Sequence, residues 1–224
     1  MVDTSVLEAD VARRGSSSLP WGTILRNVVI YIVLTPGRTG SNLICGMIST
    51  LERCPSFPIH QNFEQILNVP DNCVVHTHNK GILDILKKHK SLKQVTLVLS
   101  KRINQFDIIL SHLVTQKSNE YSVYTGKQIE PFTADISCMS FYRDHLDWYN
   151  DSRFLEDQFS KVVTIQYEQL IEEGIVYVSN LLDIKSSIVD YDINKGKSPY
   201  NNKELVLNWK ELEEIYNSWN ITGG

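Results

Sequence analysis

Cysteine is scarce: four residues in 224, at Cys45, Cys54, Cys73 and Cys138, with no CxxC pair. This spacing argues against a zinc ribbon and leaves a disulfide scaffold too sparse for the length; the expectation is four buried or half-buried thiols in a reducing, cytoplasmic compartment. Long apolar runs are also missing. The longest, Val28 to Leu34, has seven residues, whereas a membrane-spanning helix needs about 20, so no membrane span is expected. Asp3, Glu8 and Asp10 precede Arg13 and Arg14, the wrong order of charges for a secretory signal. There is no excess of basic residues: 22 Lys+Arg stand against 26 Asp+Glu, a net charge of −4. With no stripe of interleaved aromatic and basic residues, this argues against a nucleic-acid module, while a local basic patch could still bind phosphate. No carboxylate cage or zinc spacing suggests a metal.

With 42% hydrophobic and 21% charged residues, the chain suits one domain with a large core. Residues 1–26 carry no clear period and read as a weakly ordered arm; residues 27–224 form the domain. Val28–Leu34 is β-branched and aromatic, apolar on both faces, and ends at Pro36-Gly37, the pattern of a buried strand in a parallel sheet. Leu43, Ile44, Met47, Ile48 and Leu51 follow at helical spacing. Further strands are expected at Cys73–Thr77, Gln94–Leu99 and Val162–Ile165. Further helices are expected through Ile82–Leu86, Phe106–Val114, Phe141–Tyr149, Ile175–Leu182 and Lys203–Trp219. Residues 115–137 read as a long loop or lid. Strands alternating with helices predict a three-layer α/β fold of P-loop-like architecture: a central, mostly parallel sheet flanked by helices.

The turn after the first strand, Thr35-Pro36-Gly37-Arg38-Thr39-Gly40-Ser41-Asn42-Leu43, carries the strongest chemical signal. Backbone N–H groups at a helix start attract anions. Gly37 and Gly40 let the chain curl around a phosphate. Thr39, Ser41 and Asn42 add donors, and Arg38 adds a planar cation. The pattern is not GxxxxGK[ST], which supplies a Lys for phosphates and a hydroxyl for magnesium. The plain alternative is a tight turn capped by Ser41.

This loop resembles the 5′-phosphosulfate loop of sulfotransferases that use 3′-phosphoadenosine-5′-phosphosulfate (PAPS), and Arg38 matches bacterial, Golgi and tyrosylprotein members. Val75-His76-Thr77-His78 resembles that family's strand-end KTH motif, which implies His78 as the base that takes the acceptor proton. A histidine suits this role because its ordinary pKa is near 6.5. Glu64 and His60 are rival bases, since other branches use a Glu soon after the first helix. Arg102, after the third strand, and Ser111, in the next helix, resemble the 3′-phosphate site; one residue beyond the usual spacing leaves Lys101 and Arg102 both open for that contact. Lys87, Lys88, Lys90, Lys93, Lys101 and Arg102 fall in one stretch without an acid, which suits either a solvated face or a polyanion. Gln166-Tyr167-Glu168-Gln169-Leu170 resembles the YEDL segment, whose Tyr lies near the adenine. Val206–Leu212 resembles the closing helix of bacterial-type members. The RKGxxGDW lid signature has only a poor counterpart at Lys195–Ser198, and Leu43 stands where cytosolic members have an adenine-stacking Trp.

The resemblance implies a bacterial- or viral-type sulfotransferase. It would move a sulfuryl group from PAPS, as co-substrate, to a hydroxyl or amine of a carbohydrate, small-molecule or protein acceptor, without a metal. It implies Arg38 and His78 as catalytic residues and Gly37 to Leu43, Arg102, Ser111 and Tyr167 as donor contacts. The aromatic residues of 115–150, such as Tyr121, Tyr124, Phe132, Phe141, Tyr142, Trp148 and Tyr149, are expected around the acceptor. The alternatives are a P-loop nucleotide kinase-like enzyme, which needs a Walker acid that Leu99-Ser100-Lys101 does not supply, and a catalytically dead nucleotide-binding relative.

Overall fold

Four short runs rich in β-branched residues, and a three-residue edge strand without any, pair into one sheet in which every pairing is parallel. The structure is a computed structural model describing residues 29–59, 63–88, 95–119, 128–150, 155, 158–188, 190–193 and 200–221; the expected N-terminal arm and Lys195–Ser198 lie outside them. In chain order the elements are β1 (Ile30–Leu34), α1 (Ser41–Glu52), β2 (Ser56–Pro58), β3 (Cys73–Thr77), α2 (Gly81–Lys88), β4 (Val95–Lys101), α3 (Phe106–Ser118), α4 (Met139–Asn150), β5 (Lys161–Gln166), α5 (Tyr167–Leu182), α6 (Asn202–Leu205) and α7 (Trp209–Ile221). Short 3₁₀ segments occupy Phe63–Asn68 and Ile136–Cys138.

The sheet order is β2-β3-β1-β4-β5, with β1 at the centre. Its residues are sorted by the pleat, since successive side chains in a strand point to opposite faces. Tyr31, Val33, Val74 and Val98 join Leu43, Ile44, Met47 and Ile48 of α1 and Leu170, Ile175 and Val178 of α5 on one face. Ile32, Leu34, Val75, Leu97 and Leu99 meet Ile66, Ile82, Leu83, Leu155 and Phe159 on the other. Each such aliphatic side chain contributes about 1.5–3 kcal/mol when fully buried. A third cluster joins α3, α4 and α7 through Ile109, Leu110, Met139, Leu146 and Leu212.

The expected architecture is therefore present, with several shifts at element ends. β1 starts at Ile30, and α5 starts at Tyr167 rather than Ile175; Gly174 (φ 63°, ψ −140°) kinks it where the apolar period begins. The tail splits into α6 and α7, because Val206 leaves the helix to bridge Phe132. The edge strand β2, with its Ser-Phe-Pro sequence, carries no strand signal; Pro is tolerated at an edge. Residues 115–118 continue α3 instead of opening the expected lid.

Register fixes where chemistry can gather. Leu34 of β1 lies opposite Thr77 of β3 and Leu99 of β4. The segments that follow these three parallel strands thus leave the same edge of the sheet, the customary place for a ligand in such folds.

Candidate active site at the first loop

The loop after β1 is wound to the left. Gly37, Arg38 and Gly40 have φ of 77°, 56° and 80°. Glycine adopts this region freely, whereas Arg38 is held there by its surroundings. Gly40 is the N-cap of α1 and supplies no side-chain cap. The Ser41-capped turn is thus not what forms, and the helix opens without a side chain competing for its N–H groups. Gly40 is also sterically required: a Cβ there would lie 2.8 Å from the Tyr167 ring.

Thr39 is fully buried, and its Oγ1 has no hydrogen-bond partner among the described residues. A buried hydroxyl left this way is costly. Ser100 Oγ, at the end of β4, donates to Thr39 O at 2.6 Å, tying the loop to the neighbouring strand.

Arg38 Nε donates to Ser111 Oγ at 3.0 Å, so α3 anchors the loop cation. Ser111, expected with Arg102 around a 3′-phosphate, holds Arg38 in this structure. Arg102 reaches the loop as well: Nη1 lies 3.5 Å from Arg38 O, and the guanidinium sits 4.7 Å from the centroid of the Tyr167 ring. Of the two residues left open for the 3′-phosphate contact, Arg102 is thus seen to reach the loop. Asp107 and Glu168 flank Arg102, at 3.3 and 4.0 Å. Glu168 also accepts the Ile103 N–H with both oxygens, at 3.1 and 3.2 Å. Partial burial raises the Glu168 pKa, but the Gln166 and Ile103 hydrogen bonds and Arg102 outweigh it, so the carboxyl is held below its ordinary value.

Histidines occupy the β3 side. His78 Nδ1 lies 3.1 Å from Thr35 O. With the proton on Nδ1, His78 donates to Thr35 O and presents Nε2 as the basic nitrogen; with the proton on Nε2, Nδ1 accepts from the Thr35 hydroxyl, 3.3 Å away. His76 is buried beside it, edge-on, with ring centroids 4.5 Å apart. His112 of α3 and His145 of α4 both direct Nε2 at Pro36 O, at 3.2 and 2.9 Å. Burial pushes the His112 pKa down to about 4; the Pro36 hydrogen bond raises it, while Arg38, His145 and His78 lower it further. Sequence reasoning missed His112 and His145, because helical spacing alone does not show which helix face meets the loop.

A cleft of about 820 Å³ runs from Gly37 and Arg38 along Ser41, Cys45 and Ser49 of α1 to Ser56 and Pro58 of β2, with His76, His78 and His112 on its wall. The aromatic residues expected around an acceptor are elsewhere or undescribed. Tyr142 is buried in the α3–α4 cluster and Phe132 packs against it, while Phe141 is exposed and stacks on His145. Tyr121 and Tyr124 and the side chains of Trp148 and Tyr149 lie outside the described residues, as do His60 and the side chain of Glu64. Leu43 is buried in the α1–α5 core and is not brought to the cleft. Among the described residues, no group of three or more His, Cys, Asp or Glu could hold a metal ion.

No family model matches the sequence, and no curated protein matches it. Among solved structures, a gluconokinase from Sinorhizobium meliloti 1021 superposes with a TM-score of 0.40 at 10% identity, over 70% of this chain and 95% of that one. The likeness is remote, so the site's own side chains carry the functional reading. No described helix is long and apolar enough to cross a membrane.

Proposed function

We propose that this chain is a sulfotransferase that takes the sulfuryl group of PAPS and delivers it to an acceptor hydroxyl or amine. One observation carries the reading. A left-handed loop at an uncapped helix start, armed with Arg38, stands beside His78, whose Nδ1 lies against Thr35 O; in the tautomer that donates to that carbonyl, Nε2 serves as the base. The donor nucleotide supplies the activated sulfuryl group. His78 Nε2 accepts the acceptor proton as the acceptor oxygen bonds to sulfur. Arg38 and the loop N–H groups stabilise the electron pair left on the departing 5′-phosphate oxygen. Ser41 and Asn42, on the cleft wall, suit the 5′ end of the donor, and Arg102, with Tyr167 against it, suits the nucleoside end. The cleft along α1 and β2 is left for the acceptor.

A nucleoside-triphosphate kinase-like enzyme is the second reading, because the loop would cradle a β-phosphate as readily as a phosphosulfate. Ser100 and Lys101 at the end of β4 speak for the first reading, since a magnesium-binding acid would be expected there. A catalytically dead relative would bind nucleotide without turnover.

Thermal unfolding with 3′,5′-adenosine bisphosphate, compared with ATP plus magnesium, separates these readings. A ligand at 100 times its Kd that binds only the folded state adds about 2.7 kcal/mol. A rise in Tm with the bisphosphate alone is expected, and Arg38→Ala should keep the fold but lose that rise and the transfer activity. A rise only with magnesium-ATP overturns the sulfotransferase reading in favour of the kinase.

A further inference from the structure

The peptide joining Pro36 to Gly37 is gripped at both ends. Its carbonyl lies within hydrogen-bonding distance of two imidazoles, His112 Nε2 at 3.2 Å from α3 and His145 Nε2 at 2.9 Å from α4. Its N–H points at Thr35 Oγ1, 3.4 Å away. A carbonyl oxygen has two lone pairs, and two donors from separate helices fill both. Because the oxygen can only accept, each Nε2 must carry a proton. Gly37 makes the approach possible: a Cβ there would sit 3.2 Å from His112 Nε2. On α3 the residue beside His112 is Ser111, which holds Arg38 Nε, so consecutive residues of one helix grip the loop backbone and the loop cation.

The grip matters because the next two residues are wound left-handed, and one of them, Arg38, is not glycine. Such a conformation costs on the order of 1 kcal/mol and persists only when the surroundings over-determine it.

We propose that His112 and His145 are positioning residues: from α3 and α4 they clamp the Pro36 carbonyl, block a flip of the Pro36–Gly37 peptide, and hold the loop prebuilt for its phosphate-bearing ligand. This rests on the reading that the loop binds such a ligand. Neither histidine need touch the reacting atoms. The clamp acts by removing loop ordering from the cost of binding, and it ties the loop to the α3–α4–α7 cluster as well as to the sheet.

The test compares donors with space-fillers. His112→Gln keeps an N–H in reach of Pro36 O, and His112→Leu fills the space without one; His145→Gln and His145→Leu form the second pair. Affinity for 3′,5′-adenosine bisphosphate, and for magnesium-ATP, is measured by calorimetry on each folded variant. The Leu variants should bind the nucleotide that the parent binds about tenfold more weakly, and the Gln variants within about threefold of the parent. Equal affinities for the Leu and Gln variants, with Tm unchanged, overturn the clamp and leave only packing. If the His112 variants do not fold, the half-buried His145 pair carries the same comparison.

A second readout stands apart from any ligand. ¹⁵N spectra of the imidazoles at pH 7 should show a neutral, Nε2-protonated His112 and an Nε2-protonated His145; a bare Nε2 on either overturns the clamp. A parent protein that binds neither nucleotide sinks the phosphate-loop reading, and the imidazole spectra then judge the clamp alone.

Discussion

His112 shows how one side chain ties function to stability. Burial lowers its folded pKa to about 4, against an ordinary value near 6.5. As pH falls, the unfolded chain therefore takes up this proton first. The stability that neutral His112 contributes is complete above about pH 6.5 and is lost as pH falls towards 4, by about 3 kcal/mol. Urea midpoints from pH 7 to 4 should fall more steeply in the parent than in His112→Gln; parallel curves would show that the imidazole is not held neutral. At the same scale, the sequence made Arg38 and His78 legible, because their neighbours in the chain carry the pattern. Histidines 112 and 145 were not legible, because their meaning lies in a carbonyl more than seventy residues away along the chain.

Among elements, α1 and the loop before it decide the site. The apolar spacing of Leu43, Ile44, Met47 and Ile48 foretold the helix, and burial of that stripe against β1, β3 and α5 explains it. What spacing could not show is that Gly40, with φ 80°, would begin the helix without a side-chain cap and lie under Tyr167. Gly40→Ala combines a left-handed alanine with a clash against that ring. It should destabilise the fold by about 1–3 kcal/mol, read as a lower urea midpoint; an unchanged midpoint would refute the left-handed start. The tail was only half legible. Its apolar residues repeat at helical spacing, but the Phe132–Val206 bridge interrupts the helix, and such a pairing over long sequence separation leaves no local trace.

For the whole molecule, the cysteines test the packing. Cys45, Cys54 and Cys73 are buried, and Cys138 is partly exposed. Burial pushes all four thiols above their ordinary pKa, Cys73 to about 11. A thiol reagent at pH 8 should modify Cys138 first and slowly, and reach all four at one common rate only after denaturation; rapid loss of Cys45 would mean that the wall of the cleft opens. The sheet is built on three central apolar strands, β3, β1 and β4, buried on both faces, with the more exposed β2 and β5 at its edges. Their parallel order puts loop, histidine and arginine on one edge, and that edge makes the local motifs add up to a site.

The sequence by itself determined the α/β class, the buried first strand and the glycine-bearing turn after it, because these rest on periodicity, β-branching and glycines close together in the chain. The tertiary structure alone decided that Ser111 meets Arg38, that Arg102 reaches the loop, and that His112 and His145 converge on the Pro36 carbonyl. Those outcomes depend on which helix faces pack against the loop, and packing is set by the sum of distant contacts rather than by any one stretch of chain.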